Sequence, residues 1–422
     1  MTSQFFDYAI IGNSSGAVGC IEGIRETTQE GSIAVISNET HHVYGRPIIS
    51  YWLSREAGEK ALKYRPDDFY DKNGVTTFLG RTVTGLDASA KTLTLDDGQV
   101  ISFRKLLISV GGAPIAPPIP GKDKQGVFTF NTLDDVFAID KILTPETRAV
   151  VIGGGLTGLK ASEALLARGA KVTLVELMDR LMGMATDQRA SEIVRDIFEE
   201  HGCTLKLENT VEEILGQSGH VEGVRLKSGE TLPCDMVILA IGVRPRLELL
   251  NGTGIDANRG IVVDNTLSTT VPGIYACGDV AEAFDFLQQA NRVLPLLPNA
   301  YVTGRIAGIN MAGGDRIYDW GTSANSVDFF GFPLASAGKL VPHEGDECLV
   351  HDDGKKDYRK IILKDGVLIG LLFAGDYERI GLLLGHMRKR TDMTEFKESL
   401  LTAAPSTLRL PQTANAAAGG AA

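Results

Sequence analysis

The stretch VVIGGGLTGLKASEALLARGAKVTLVE, Val150 to Glu176, holds the parts of a βαβ nucleotide site in their proper order. An apolar strand ends at Ile152. Gly153, Gly155 and Gly158 then fill a G-x-G-x-x-G pattern: the first permits a tight turn, the second lets a pyrophosphate reach the backbone, and the third lets helix pack on strand. The helix that follows presents its N-terminus to phosphates. KVTLVE is a second strand ending in Glu176, close to the ~20 residues expected for the acid that binds a ribose 2′-hydroxyl. A carboxylate there repels a 2′-phosphate, so the pattern predicts NADH in preference to NADPH.

The same plan recurs near the N-terminus, where DYAIIGNSSGAVGCIEGIRE (Asp7 to Glu26) precedes SIAVISNE (Ser32 to Glu39). Gly12 keeps the first position, Ser14 replaces the second glycine, and Ala17 stands at the third, where Ala is tolerated. Ser14 is the costly change: its Cβ narrows the approach of a pyrophosphate, although its hydroxyl offers a hydrogen bond in return.

A chain of 422 residues with 43% hydrophobic content predicts two or three domains with sizeable cores. The net charge of −11 argues against a nucleic-acid surface. The longest apolar runs, such as VLIGLLFAG (Val367 to Gly375), fall well short of the ~20 residues of a membrane helix. The start lacks a basic signal region, which points to the cytoplasm. Cys20, Cys203, Cys234, Cys277 and Cys348 are dispersed, with no C-x-x-C pair, metal spacing or disulfide framework. The histidines are scattered too, so no metal site is assigned.

In chain order, HHVYGRPIISYWLSREAG (His41 to Gly58) reads as a loop entering a helix, with Arg46 and Pro47 at the junction. TVTGLD (Thr82 to Asp87) and KTLTLDDGQVISF (Lys91 to Phe103) alternate with period two and read as a meander or hairpin. RKLLISVGGAPIAPPIPG (Arg104 to Gly121) is a buried strand leaving through a Gly- and Pro-rich linker, the first domain boundary. A second meander and strand, Val221 to Pro245, end the same way, so both halves share one plan. GIYAC then leads into Gly278 and Asp279, and Asn299 stands near the start of a helix. Taken singly, Asp279 and Asn299 read as ordinary helix caps.

Together these pieces resemble the two-dinucleotide flavoproteins that include pyridine nucleotide-disulfide reductases, ferredoxin and rubredoxin reductases and NADH oxidases, over about residues 5 to 411. The resemblance implies an α/β fold with two Rossmann-like dinucleotide-binding domains, the NAD domain inserted in the FAD domain, and a C-terminal α+β interface domain. The boundaries are 1–116 with 243–316 for FAD, 117–242 for NAD, 317–411 for the interface domain and 412–422 for a disordered Ala- and Gly-rich tail. It implies FAD on Gly12, Ser14, Ser15, Gly16 and Ala17 with Glu39, Arg46, Pro47, Val83, Gly111, Gly278, Asp279 and Asn299. It implies NAD(H) on Gly153, Gly155, Leu156, Thr157, Gly158, Lys160, Glu176 and Gly242.

The departures narrow the function. Disulfide reductases of this family carry a Cys pair, and NADH peroxidases or oxidases a single Cys, around the segment His41 to Trp52, which here has none. The resemblance therefore moves to rubredoxin- and ferredoxin-reductase types, including NAD/FAD oxidoreductases associated with carbon monoxide dehydrogenase. It implies electron flow from NADH through flavin to a small iron protein such as rubredoxin or ferredoxin, with no general base or nucleophile. The alternative is a flavin-bearing subunit or NADH-responsive module of a larger redox complex; a homodimer stays open. Where many relatives pair a Glu with a Lys near the nicotinamide, this chain has Lys160 and Tyr51, so the pair is lost and the residues serve a different gate, or Lys160 is a solvated helix residue. In the C-terminal part, KDG between apolar runs signals a hairpin, followed by a polar helical stretch. Its basic cluster HMRKR (His386 to Arg390) reads as a solvated helix end or as a dock for an acidic iron protein.

Overall fold

The computed structural model describes residues 4–376 and 378–401. The expected tail at 412–422 and the end of the interface segment lie outside the described residues. The described residues fall into two compact units: 4–184 with 195–323, and 185–194 with the described residues from 324 to 401.

In the first unit, the N-terminal apolar runs form the parallel strands Gln4–Ile11 and Ile33–Ser37 around helix Ser15–Thr27. The sheet order is 75–79, 33–37, 4–11, 100–108, 92–95, 83–87. Here the period-two segment and the buried strand, read separately from the sequence, fuse into one nine-residue strand, Val100–Ile108. Its first half pairs antiparallel with the meander, while Leu106–Ile108 pairs parallel with Ile274–Ala276. That last pairing brings Cys277, Gly278 and Asp279 up beside the first glycine loop.

A second all-parallel sheet repeats the plan in the order 204–206, 171–175, 148–152, 236–239, 127–129. The antiparallel meander 211–215, 223–226, 231–233 accompanies it. The two linkers pair with each other: Gly112–Pro114 runs antiparallel to Val243–Pro245. Each Pro-rich exit thus supplies one strand of a two-stranded ribbon, which satisfies backbone groups that a loose linker would leave to water.

Helix Ser15–Thr27 packs on helix Leu297–Met311 at glycine-to-backbone distance. A Cβ on Gly19 would come within 2.1 Å of the Tyr301 carbonyl oxygen, and one on Gly304 within 2.0 Å of the Gly16 oxygen. Gly23 and Gly308 are equally tight, so the two helices interlock through small residues in both directions. This contact holds the first glycine loop against the Asn299 helix.

The C-terminal unit is an antiparallel sheet in the order 324–329, 332–338, 367–374, 358–364, 347–352. The KDG hairpin forms as read: Asp365 and Gly366 have φ of +50° and +75°, the left-handed pair of a tight two-residue turn. The stretch read as polar and helical is instead the largely apolar helix Ile380–Arg388, whose Leu383 and Met387 are fully buried. Within HMRKR, His386 and Met387 are buried, while Arg388, Lys389 and Arg390 are exposed at the end of the helix.

Candidate functional site

The two glycine loops have the same backbone. Gly12 and Gly153 lie at φ +112° and +110°, and a Cβ on either would strike a carbonyl oxygen, of Ser109 at 2.3 Å or Ala240 at 2.4 Å. Only glycine fits there. A Cβ on Gly158 would come 1.9 Å from the Gly153 oxygen, the close helix-to-loop packing expected of the third position. Gly155 is the opposite case: a Cβ there would meet nothing within 4 Å, so the loop opens to solvent where a pyrophosphate needs to approach.

Ser14 and Gly155 are the equivalent N-cap residues of their helices. Ser14 has φ −130°, extended backbone that any residue adopts, so the replacement costs no strain. Its side chain makes no capping hydrogen bond, which leaves first-turn N–H groups of Ser15–Thr27 open for an anion. Ser15 and Ala17 are buried in that first turn. Gly16 is required by packing as well, since its Cβ would come 2.9 Å from Cys277 Sγ. Leu156 and Thr157 stand exposed on the second helix. The residues of both loops therefore suit a dinucleotide each.

The two acids are held by different partners. Glu176 accepts from the N–H of Gly154 at 2.5 Å and of Met178 at 2.7 Å, so one carboxylate ties the glycine loop to the strand end. Glu39 accepts from the Tyr44 hydroxyl at 2.6 Å and forms a short ion pair with Arg46. Arg46 also donates to the Asn131 carbonyl at 2.9 Å. Its guanidinium is pulled down by burial, but Tyr44, Glu39 and Asp279 outweigh that and hold its pKa above the ordinary value. Burial pushes the Asp279 carboxyl up, with Arg46 opposing. The fold thus brings Glu39, Arg46 and Asp279 into one electrostatic neighbourhood. Pro47 caps helix Ile48–Ser54 directly after Arg46.

Asp279 and Asn299 are not helix caps. Asp279 lies inside the short turn Gly278–Val280, and Leu296 is the N-cap of the Asn299 helix. Asn299 is buried and donates to the Thr322 carbonyl at 3.1 Å. Thr303, one turn on, accepts from the Gly278 N–H at 3.2 Å. Gly278, Asn299, Thr303, Ala281, Ala283, Leu294 and Tyr318 line a small recess. Gly80 N–H donates to the Glu39 carbonyl at 3.0 Å, which sets the segment leading to Val83 beside that acid. Gly111 and Gly242 lead into the linker ribbon, at φ +65° and +106°.

Lys160 is not a solvated helix residue. It forms a short ion pair with Glu163, with side chains 13% and 7% exposed, and its ammonium lies 4.1 Å from the Tyr51 ring centroid. Between the two helices a cation–ring contact thus stands where many relatives have an ion pair, and the acid that pairs with Lys160 lies on its own helix. Tyr44 and Glu163 were missed by motif reading; an acid three residues after Lys160 was the available signal for the second.

Paired nucleotide loops, each with its acid, joined by a crossover ribbon, and a half-buried arginine-aspartate neighbourhood beside Glu39 define a two-dinucleotide oxidoreductase that uses FAD and NAD(H). The chain belongs to the pyridine nucleotide-disulphide oxidoreductase family, whose profile matches residues 6–304. The rubredoxin NAD+ reductase C-terminal domain matches residues 324–391. The chain is 30% identical to the epsilon subunit of NADH-dependent phenylglyoxylate dehydrogenase of Aromatoleum evansii, over 92% of this chain and 93% of that one. It is 31% identical to the ferredoxin reductase subunit of 5,5'-dehydrodivanillate O-demethylase of a Sphingobium species, over 87% and 89%. Putidaredoxin reductase, solved in covalent complex with putidaredoxin, shares the fold with a TM-score of 0.87 at 22% identity, covering 97% of this chain and 98% of that one.

Proposed function

We propose that the chain takes reducing equivalents from NADH at the Gly153 loop and passes them, through FAD held at the Gly12 loop, to a small iron electron carrier such as rubredoxin or ferredoxin. The observation that carries this reading is the composition of the segment after Glu39. Residues 41–52 supply Tyr44, Arg46 and Tyr51 to the paired loops and contain no thiol, while Cys20 and Cys277 are buried. A redox-active disulfide has no place in such a site.

When bound, FAD supplies the hydride acceptance and onward electron release that no side chain here offers. The chain contributes position and charge. Glu39, Arg46 and Asp279 hold the flavin cofactor, with Val83, Gly111 and Asn299 around it. Glu176 orders the second loop and receives the adenosine ribose of NADH. Lys160, fixed by Glu163 and Tyr51, borders the exposed helix face of Leu156 and Thr157, since residues three and four apart share a face. On this reading residues 1–116 with 243–316 form the FAD part, 117–242 the NAD part and 317–411 the interface domain.

The test is anaerobic reduction by NADH, followed by turnover with purified rubredoxin and ferredoxin. Reduction of the flavin and rapid transfer to either carrier supports the proposal; reduction without transfer to any iron protein refutes it. Among the described residues no helix is long and apolar enough to cross a membrane, and we place the protein in the cytoplasm, with a homodimer as one assembly to check by light scattering. A second reading, a flavin-bearing subunit of a larger complex, is favoured by the nearly full-length likeness to a dehydrogenase subunit. Slow turnover with dyes and a long-lived NADH-reduced state, with partner subunits recovered from the native host, would select it.

A further inference from the structure

The geometry points to Tyr44 as a positioning residue that couples FAD loading at Glu39 to the anchoring of the NAD-binding part of the chain. This rests on the reading of Glu39 as the acid for the FAD ribose. The first amides of any helix lack intrahelical acceptors. In helix Leu133–Asp140, the first helix after the Pro-rich linker, Thr132 and Asp135 form a reciprocal capping box, and the buried Leu133 N–H donates to the Tyr44 hydroxyl at 3.1 Å. That hydroxyl donates in turn to Glu39 at 2.6 Å.

The direction of this chain is fixed by chemistry. An amide only donates and a carboxylate only accepts, so the one phenolic proton must point at Glu39 and its lone pair at Leu133. With its proton committed to Glu39, the hydroxyl is held only as firmly as Glu39 is, so a ribose that fixes Glu39 also fixes the acceptor of the Leu133 amide. Tyr44 is 7% exposed, so water does not substitute for either partner. A second path runs in parallel: Arg46 joins the other Glu39 oxygen to the Asn131 carbonyl. His41 adds a third tie, its Nε2 lying 2.8 Å from Asp134. The turn 131–134 is thus fastened to the residues that flank the FAD acid, and each Glu39 oxygen still has a lone pair for a ribose hydroxyl.

The experiment uses full-length protein stripped of flavin and titrated with FAD, with amide hydrogen exchange read at Leu133. In wild type, FAD binding should slow exchange of the Leu133 amide at least about tenfold. Tyr44→Phe should raise the FAD Kd by about ten- to a hundred-fold, as for loss of a hydrogen bond to a charged group, and should leave Leu133 exchange fast with or without FAD. Should Tyr44→Phe fail to fold, Leu133→Pro removes the donor from the other end at a position that tolerates proline, and should weaken FAD binding with Tyr44 and Glu39 intact. A wild-type FAD Kd in Tyr44→Phe, or Leu133 exchange in wild type that ignores FAD, overturns the coupling. Failure of the underlying reading looks different: wild type binds no FAD, or Glu39→Gln binds it as tightly as wild type.

Discussion

The Lys160 ammonium stacks on the Tyr51 ring at 4.1 Å while it pairs with Glu163, so a cation on the nucleotide-loop helix is shared between an acid of its own helix and an aromatic of helix Ile48–Ser54. Both charges are nearly buried, and removing one partner of such a pair costs about 3–5 kcal/mol because the other is stranded. Lys160→Met should therefore lower the melting temperature markedly, and Lys160→Met with Glu163→Gln should recover most of the loss. Tyr51→Leu should cost only about 1–2 kcal/mol, the size of a partly desolvated cation-π contact. Scanning calorimetry of the four proteins decides it; a stable single mutant would show that Glu163 is satisfied without Lys160.

Coenzyme choice follows from Glu176. We expect kcat/KM for NADH to exceed that for NADPH by at least about tenfold, from about 1.5–3 kcal/mol of charged hydrogen bonding to ribose. Because the two carboxylate oxygens accept separately from the Gly154 and Met178 amides, Glu176→Ala should impair both coenzymes, NADH the more, whereas Glu176→Gln, with one acceptor oxygen for two N–H donors, should keep one of these bonds and impair the loop less than Ala does. Arg180 lies 3.9 Å from Asp179, which competes for it with any 2′-phosphate. Steady-state kinetics showing equal use of both coenzymes would mean that Arg180 escapes this pairing.

Asp279 makes a pH-dependent prediction. Burial raises its carboxyl pKa in the folded state, against the opposing charge of Arg46. The folded chain therefore binds the proton more tightly than the unfolded one. This contribution to stability is complete below the ordinary pKa of 3.8 and is lost as pH rises through the higher folded value. Flavin-free Asp279→Asn should accordingly melt higher than wild type at pH 7, yet retain FAD less well. Unchanged FAD retention would remove Asp279 from the cofactor site.

Thiol chemistry should be confined to one residue. Four of the five cysteines are buried and Cys348 is exposed. Burial pushes Cys203 and Cys234 up to about 12 and raises Cys20 and Cys277 as well, so none of these four supplies a thiolate near neutrality. Native protein should titrate one fast thiol and denatured protein five. Cys277→Ala should keep NADH-dependent dye reduction once flavin content is matched; its loss in a flavin-loaded mutant would implicate a thiol after all.

The glycine loops, their acids, the hairpin and the two-part plan were legible because each is written in residues close in sequence, where φ requirements and periodicity act locally. The partners of the acids were not. Tyr44 lies five residues from Glu39 in an irregular loop, where spacing says nothing about direction, and its other contact, Leu133, belongs to a different half of the chain. Strand Val100–Ile108 was split in the reading because its period changes where its neighbour changes from antiparallel meander to parallel strand. Lys160 was ambiguous for a similar reason: a charged helix residue reads as solvated until the facing helix is known to bring a ring to it.

The interlocked glycines of helices Ser15–Thr27 and Leu297–Met311 also order events in time. A ribosome releases the first of these helices long before the second exists, and at about 5–20 residues per second the wait is on the order of tens of seconds. During synthesis the inserted half is complete while the half that encloses it is still missing its last strand and helix. The small-residue face of Ser15–Thr27 therefore gains its cover only late in synthesis, when Gly304 arrives.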